Sequence, residues 1–193
     1  ETITMKIKPL SLEMPETSEA FNKIVYWFFS FPTKEFGLNE IVKELKISKT
    51  TANKVITQLI KENFLERQII GKNWRLKLNQ NSQFNLSKKI PYNLELILKS
   101  NLINLIQEKV SNIKSIILFG SYRKGDDIET SDIDIAVQVL GNKKYEIQEF
   151  TTFKKFGFRK NIKVELHIFS DKNINNNLLA NIRNGIVLEG FLE

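Results

Sequence analysis

Two aspartates, Asp132 and Asp134, interrupt an otherwise apolar run, Asp132-Ile133-Asp134-Ile135-Ala136-Val137. In a strand, residues two apart share a face, so the carboxylates would stand side by side while Ile133 and Ile135 face a core. Neighbouring carboxylates repel unless a cation lies between them, and hard oxygen ligands suit magnesium. Upstream, the apolar run Ile116-Ile117-Leu118-Phe119 stops at Gly120-Ser121, and a polar segment containing Gly125 follows. A Gly-Ser turn can offer backbone N–H groups and a hydroxyl to phosphate oxygens. A divalent metal beside a phosphate cradle is nucleotide chemistry.

The order of these parts is a strand, Gly120-Ser121, Gly125, then Ser131-Asp132-Ile133-Asp134 on the next strand. It resembles the signature of the DNA polymerase β-type nucleotidyltransferase superfamily, especially the minimal nucleotidyltransferases. The resemblance implies a small mixed-sheet domain that transfers a nucleoside monophosphate from a nucleoside triphosphate and releases pyrophosphate. It implies two Mg2+ ions bridged by Asp132 and Asp134, with Ser121 and the Gly120 backbone on the β,γ-phosphates. It also implies a third carboxylate on a later strand. Glu165 matches that place, where the family usually has aspartate, and would complete the ion that activates the acceptor hydroxyl. The family often carries an arginine before the second glycine. Here Lys124 holds that position with Arg123 beside it, so both are nucleotide-binding candidates, and Arg159 and Lys160 are further cations for phosphate.

Several elements must position these groups. Pro91 opens a helix predicted to run to Val110, with Leu94, Ile97, Leu98, Leu102, Leu105 and Ile106 on its apolar side. Strands are expected over 113–119 and 132–139. Residues 143–158 read as a helix whose side Tyr145, Ile147, Phe150, Phe153 and Phe156 belongs to the core. Lys163-Val164-Glu165-Leu166-His167-Ile168-Phe169 alternates as a third strand. Glu165 and His167 then share one face, where the imidazole could meet substrate. A helix over 174–183, stopped by Asn184-Gly185, and a short strand over 186–189 close the chain.

The first 80 residues follow a different pattern. Residues 1–14 read as a loose arm or short edge strand. Pro15 with Glu16 and Glu19 predicts a helix ending near Phe31, before Pro32. Its apolar positions Phe21, Ile24, Val25, Trp27, Phe28 and Phe31 cover more than one face, so it is expected to be buried on two sides and to offer a surface for a homodimer. Asn39 is expected to cap a helix through Leu45, and Ser48 a third helix to Asn63. Residues 64–70 and 74–78 read as a hairpin around Gly71-Lys72-Asn73. Three helices and a hairpin with a basic tip resemble a winged helix-turn-helix DNA-binding domain over residues 16–80. By that resemblance Thr50, Thr51, Asn53, Lys54 and Thr57 meet the major groove, while Lys49, Lys61, Lys72 and Arg75 meet phosphates. Winged helices also serve as protein-docking modules, and both roles stay open.

The division expected is therefore an α+β chain: a winged helix-turn-helix with its arm (1–80), a polar linker (81–90) and a nucleotidyltransferase domain (91–193). Of the formal charge of +7, about +5 falls between Lys34 and Lys77, which suits a polyanion partner. The chain has no cysteine and a single histidine, His167, which excludes disulfides and thiolate or multi-histidine zinc sites within one chain. No apolar run is long enough to span a membrane and no signal-peptide pattern opens the chain, so it reads as cytoplasmic. Three functional readings stand. One is a nucleotidyltransferase brought to DNA or a partner by its winged helix. Another is a DNA-binding regulator whose second domain senses nucleotide. The third is an antitoxin-type protein that modifies or masks a toxin partner.

Overall fold

In the computed structural model, the residues described are 18–71 and 73–192; the arm expected over 1–14, Lys72 at the hairpin tip and Glu193 lie outside them. Helix α1 (Glu19–Ser30) begins where the Ser18 hydroxyl accepts the Phe21 N–H; Pro15 and Glu16, expected at its start, lie outside the described residues. Strand β1 (Glu35–Phe36) follows, then α2 (Leu38–Leu45) and α3 (Lys49–Lys61). Asn39 does not cap α2: Gly37 precedes the helix, and its N–H donates to the Glu40 carboxylate at 2.6 Å. Ser48 caps α3 as expected, through the Thr51 N–H. Strands β2 (Leu65–Ile70) and β3 (Asn73–Leu78) form the antiparallel hairpin, and β1 adds to the free edge of β3 to give the order β1-β3-β2. The two-residue β1 carries no sequence signal of its own.

One face of α1 packs Ile24, Val25, Phe28 and Phe29 into a core with Ile41, Ile56, Leu59, Phe64 and Leu76. Its other side is covered by later parts of the same chain. Tyr26 stacks on Tyr92 at 4.2 Å between ring centroids, and Trp27 meets Phe158 edge-on at 5.4 Å. The expectation of burial on two sides is met within one chain.

The segment 81–90, expected as a polar linker, has local structure of its own. It forms a π-helical turn, Asn85–Lys89, that runs directly into α4 (Ile90–Lys99). The helix predicted over 91–110 is broken: α4 stops at Ser100, Asn101 adopts φ 61°, and α5 (Leu102–Lys109) starts afresh. Asparagine tolerates the left-handed region better than most residues, which makes Asn101 the natural breakpoint. Then come β4 (Ile113–Leu118), a short α6 (Gly120–Lys124), β5 (Ile133–Val139), β6 (Glu146–Phe153), β7 (Ile162–Phe169), α7 (Asn176–Arg183) and β8 (Ile186–Gly190). The strands form one sheet in the order β6-β7-β5-β4-β8, with β5 and β7 parallel and the other pairs antiparallel.

The helix expected over 143–158 is instead strand β6, paired along β7. A bulge between Glu149 and Thr151 inserts Phe150 and shifts the alternation, so Phe150 and Phe153 share the core face; with Ile147 they are three apart in sequence and imitate a helical stripe. Phe150, Phe153 and Phe156 do pack on the sheet's core, but Ile147 is exposed.

A buried charge cluster ties the parts together. Asp127, in the loop after α6, is fully enclosed and lies 3.0 Å from Arg159 Nη2 and 3.3 Å from Lys89 Nζ. Asn93 Nδ2 donates to the same carboxylate at 2.7 Å. Removing one member of a buried ion network leaves the others uncompensated, at a cost of about 3–5 kcal/mol. Asp127→Ala is accordingly expected to lower unfolding stability by ~3–5 kcal/mol in urea titrations. A loss below about 1 kcal/mol would show that the cluster is not holding the fold together.

Candidate functional site

Three neighbouring strands and one short helix build the site. The sharp exit from β4 is set by Phe119, whose N–H donates to the Asp134 carbonyl at 3.2 Å. Gly120 then takes φ 69° and lies so close to Asp134 that a Cβ would collide with its carboxylate. Glycine is required here both by conformation and by space. Helix α6 winds one turn and is closed by Gly125, at φ 75°, whose N–H donates to the Ser121 carbonyl at 2.9 Å. A side chain at Gly125 would meet the Asn85 carbonyl and Ile90, so this turn is packed on the π-helical segment.

The buried residue Tyr122 anchors α6 from beneath. Its ring meets Phe156 edge-on at 5.9 Å and lies 5.0 Å from the Arg159 guanidinium carbon. Burial raises the ionisation of its phenol well above the ordinary value, and Arg159 only partly opposes this. The hydroxyl is enclosed without a hydrogen-bond partner among the described residues.

Strand β7 alternates as expected, but Asp132 and Asp134 do not pair along one strand, because β5 begins only at Ile133. Strands β5 and β7 run parallel with Asp134 opposite Glu165 and Ala136 opposite His167. Val164, Leu166 and Ile168 turn into the core, while Glu165 and His167 take the face of Asp134. One ligand-capable atom from each of Asp134, Glu165 and His167 lies within 4.8 Å of the others. Asp132, half-buried just before β5, is not in that triplet, although its charge reaches Tyr122 and Lys163.

The Tyr145 hydroxyl sits 2.8 Å from His167 Nδ1, and burial together with Asp134 and Glu165 holds its phenol above its ordinary ionisation. This tyrosine was expected only as core. Its place beside the imidazole follows from β6 running as a strand along β7, where the sequence reads as a helix. The donor set of two carboxylates and an imidazole suits a divalent cation.

The other candidates divide. Ser121 and Arg123 on α6 are half-buried and Lys124 is exposed, all within one turn of Gly120. Arg159 is instead taken up by Asp127 and the Ile128 carbonyl, the latter at 2.8 Å, and Lys160 is exposed. On α3, Lys49, Thr50, Thr51, Asn53, Lys54, Thr57 and Lys61 are all exposed. Arg75, on β3, lies 3.5 Å from Glu40. Sequence reasoning missed Lys89 and Asp127 as a buried pair; nothing in a polar loop distinguishes Asp127 from its exposed neighbour Asp126.

Two outcomes follow. Gly120→Ala forces a left-handed alanine against Asp134, costing roughly 1–2 kcal/mol of stability in urea unfolding. It should also weaken divalent-cation binding in calorimetry; a variant matching the parent in both would contradict the geometry. Unfolded tyrosine ionises near pH 10 and Tyr122 in the fold ionises higher, so its contribution is intact below about pH 10 and lost as pH rises further. Tyr122→Phe removes that titration and the enclosed hydroxyl. It should keep neutral-pH stability while flattening the alkaline fall, as followed by denaturation against pH.

Two comparisons with known proteins bear on this arrangement. No curated protein matches the chain. Residues 100–189, from the breakpoint before α5 through β8, match the family described as polymerase beta, nucleotidyltransferase, and this part of the chain is similar to that family in sequence.

Proposed function

We propose that the chain transfers a nucleoside monophosphate from a nucleoside triphosphate to an acceptor hydroxyl, with its N-terminal unit (1–80) joined through 81–90 to the transferase unit (91–193). The observation that carries this reading is the apposition of Asp134 and Glu165 beside the Gly120 turn. Gly120 N–H and the Ser121 hydroxyl receive phosphate oxygens, and Arg123 and Lys124 balance their charge; lysine does so as a point charge without the arginine fork. Asp132, Asp134 and Glu165 would hold two Mg2+ ions, which would supply positive charge to offset the charge that builds on the attacking and leaving oxygens. The acceptor oxygen bonds to the α-phosphorus, the bond to the β-phosphate bridge breaks, pyrophosphate departs, and the acceptor proton passes to solvent.

The order α1-β1-α2-α3-β2-β3, with an exposed basic and hydroxyl-bearing face on α3, supports the resemblance to a winged helix and hence a DNA-binding role. In that role Thr50, Thr51, Asn53, Lys54 and Thr57 read the groove. Lys49, Lys61, Lys72 and Arg75 meet phosphates. The same surface supports a regulator, or an antitoxin-type protein that modifies a protein partner. Among the described residues no helix is long and apolar enough to cross a membrane.

The double variant Asp132→Asn, Asp134→Asn is expected to retain the fold and to lose Mg2+-dependent ATP binding in calorimetric titration; unchanged affinity would sink the assigned site. Incubation with α-phosphate-labelled nucleoside triphosphates, Mg2+ and cell extract identifies the acceptor by where label arrives. No transfer, with sequence-specific DNA binding intact, would favour the regulator.

A further inference from the structure

His167 has no part in the reading above, yet it is the most enclosed member of the acidic face. Its side chain is 10% exposed, against 27% for that of Asp134. Its two ring nitrogens have different surroundings. Nδ1 is engaged by the Tyr145 hydroxyl at 2.8 Å. Nε2 is buried and makes no hydrogen bond among the described residues, although Asp134 Oδ1 is 3.4 Å away. The Phe119 ring stands edge-on to the imidazole at 4.8 Å, which fixes the direction in which Nε2 points.

A buried nitrogen aimed at a carboxylate without bonding to it is costly if both atoms simply face each other. The spacing has another meaning. Two ligands bound at about 2.1 Å to one ion, at angles near 90–110°, lie roughly 3–3.4 Å apart. The Glu165 carboxylate completes a set of three atoms within 4.8 Å of one another. On Nδ1, a hydrogen bond donated to the Tyr145 oxygen would leave the Nε2 lone pair directed at the cluster, as the outer partner of a metal-bound histidine does.

We propose that Asp134, Glu165 and His167 Nε2 form a mixed oxygen–nitrogen site for a first-row transition cation, with Tyr145 as the residue that positions the imidazole. The inference rests on the proposed reading that this face carries the metal–nucleotide chemistry, and it assigns one of the two cation positions. Magnesium prefers oxygen ligands and water, whereas transition ions accept imidazole readily. A nitrogen ligand at this position therefore shifts the metal preference of the site away from magnesium.

Manganese is a suitable probe because its bound form reports a coordinated nitrogen directly. Mn2+ added to the wild-type chain is expected to show imidazole nitrogen modulation in its electron spin echo, an observation that needs no variant. In calorimetric titrations, His167→Gln should lose that modulation and bind Mn2+ at least about tenfold more weakly, with Mg2+ affinity changed less than about threefold. Tyr145→Phe should keep the nitrogen signal but weaken Mn2+ binding by roughly tenfold, since outer partners orient the ligand. Asp134→Asn separates the two levels of the account. If Asp134→Asn abolishes Mn2+ binding while His167→Gln binds like the parent and the wild type shows no nitrogen signal, the carboxylate site stands and the nitrogen ligand is overturned. If Asp134→Asn itself binds Mn2+ like the parent, the cation site on this face falls, and this inference falls with it.

Discussion

The buried contact of Asp127 with Lys89 and Arg159 is the constraint on which the arrangement depends. Three pieces of chain far apart in sequence meet there: the π-helical turn, the loop between α6 and Asp132, and the segment between β6 and β7. Each leads into part of the site. Lys89 precedes α4, which packs under α6; Asp127 leads to Asp132 and β5; Arg159 leads to β7 and Glu165. Burial favours the neutral form of Lys89, and the Asp127 carboxylate opposes that effect. With both cations and Asn93 on one carboxylate, the loop before Asp132 has a fixed course, although its backbone belongs to no strand or helix.

A second constraint joins the N-terminal unit to this framework. The aromatic side of α1 stacks on Tyr92 of α4 and meets Phe158, next to Arg159. Thr33, just past α1, gives both its N–H and its hydroxyl to the Glu129 carboxylate, at 3.0 and 2.8 Å. Glu129 lies in the same loop as Asp127. The helical unit that carries the exposed face of α3 thus touches the loop that delivers Asp132, and a shift of either would be felt by the other through packed rings and a short polar clamp.

The parts that could be read in the sequence were those whose signal is local. Gly120-Ser121 and Asp132-Ile133-Asp134 are short motifs. The alternation of 163–169 put Glu165 and His167 on one face, and Ser48 marked the start of α3. The misreadings arose where a distant contact decided the outcome. Residues 146–153 look helical because Ile147, Phe150 and Phe153 are spaced by three; the bulge at Phe150 lets Phe150 and Phe153 share the core face, and only pairing with β7 makes the segment a strand. Asn101 breaks a continuous apolar stripe by adopting a left-handed turn that most residues would resist. Lys89 looked like part of a polar linker, because its partner Asp127 lies 38 residues away. Tyr145 reaches His167 because β6, which follows it directly, lies along β7, a long-range pairing with no local signal.

The central claim is that Gly120, Asp134 and Glu165 form one metal–phosphate site. It is tested most directly by a crystal structure with Mn2+ and a non-hydrolysable nucleoside triphosphate, using anomalous scattering to locate the metal. The account predicts an anomalous peak within bonding distance of both Asp134 and Glu165, with triphosphate oxygens on the Gly120 N–H and the Ser121 hydroxyl. A nucleotide bound elsewhere, or a metal that touches neither carboxylate, would contradict it.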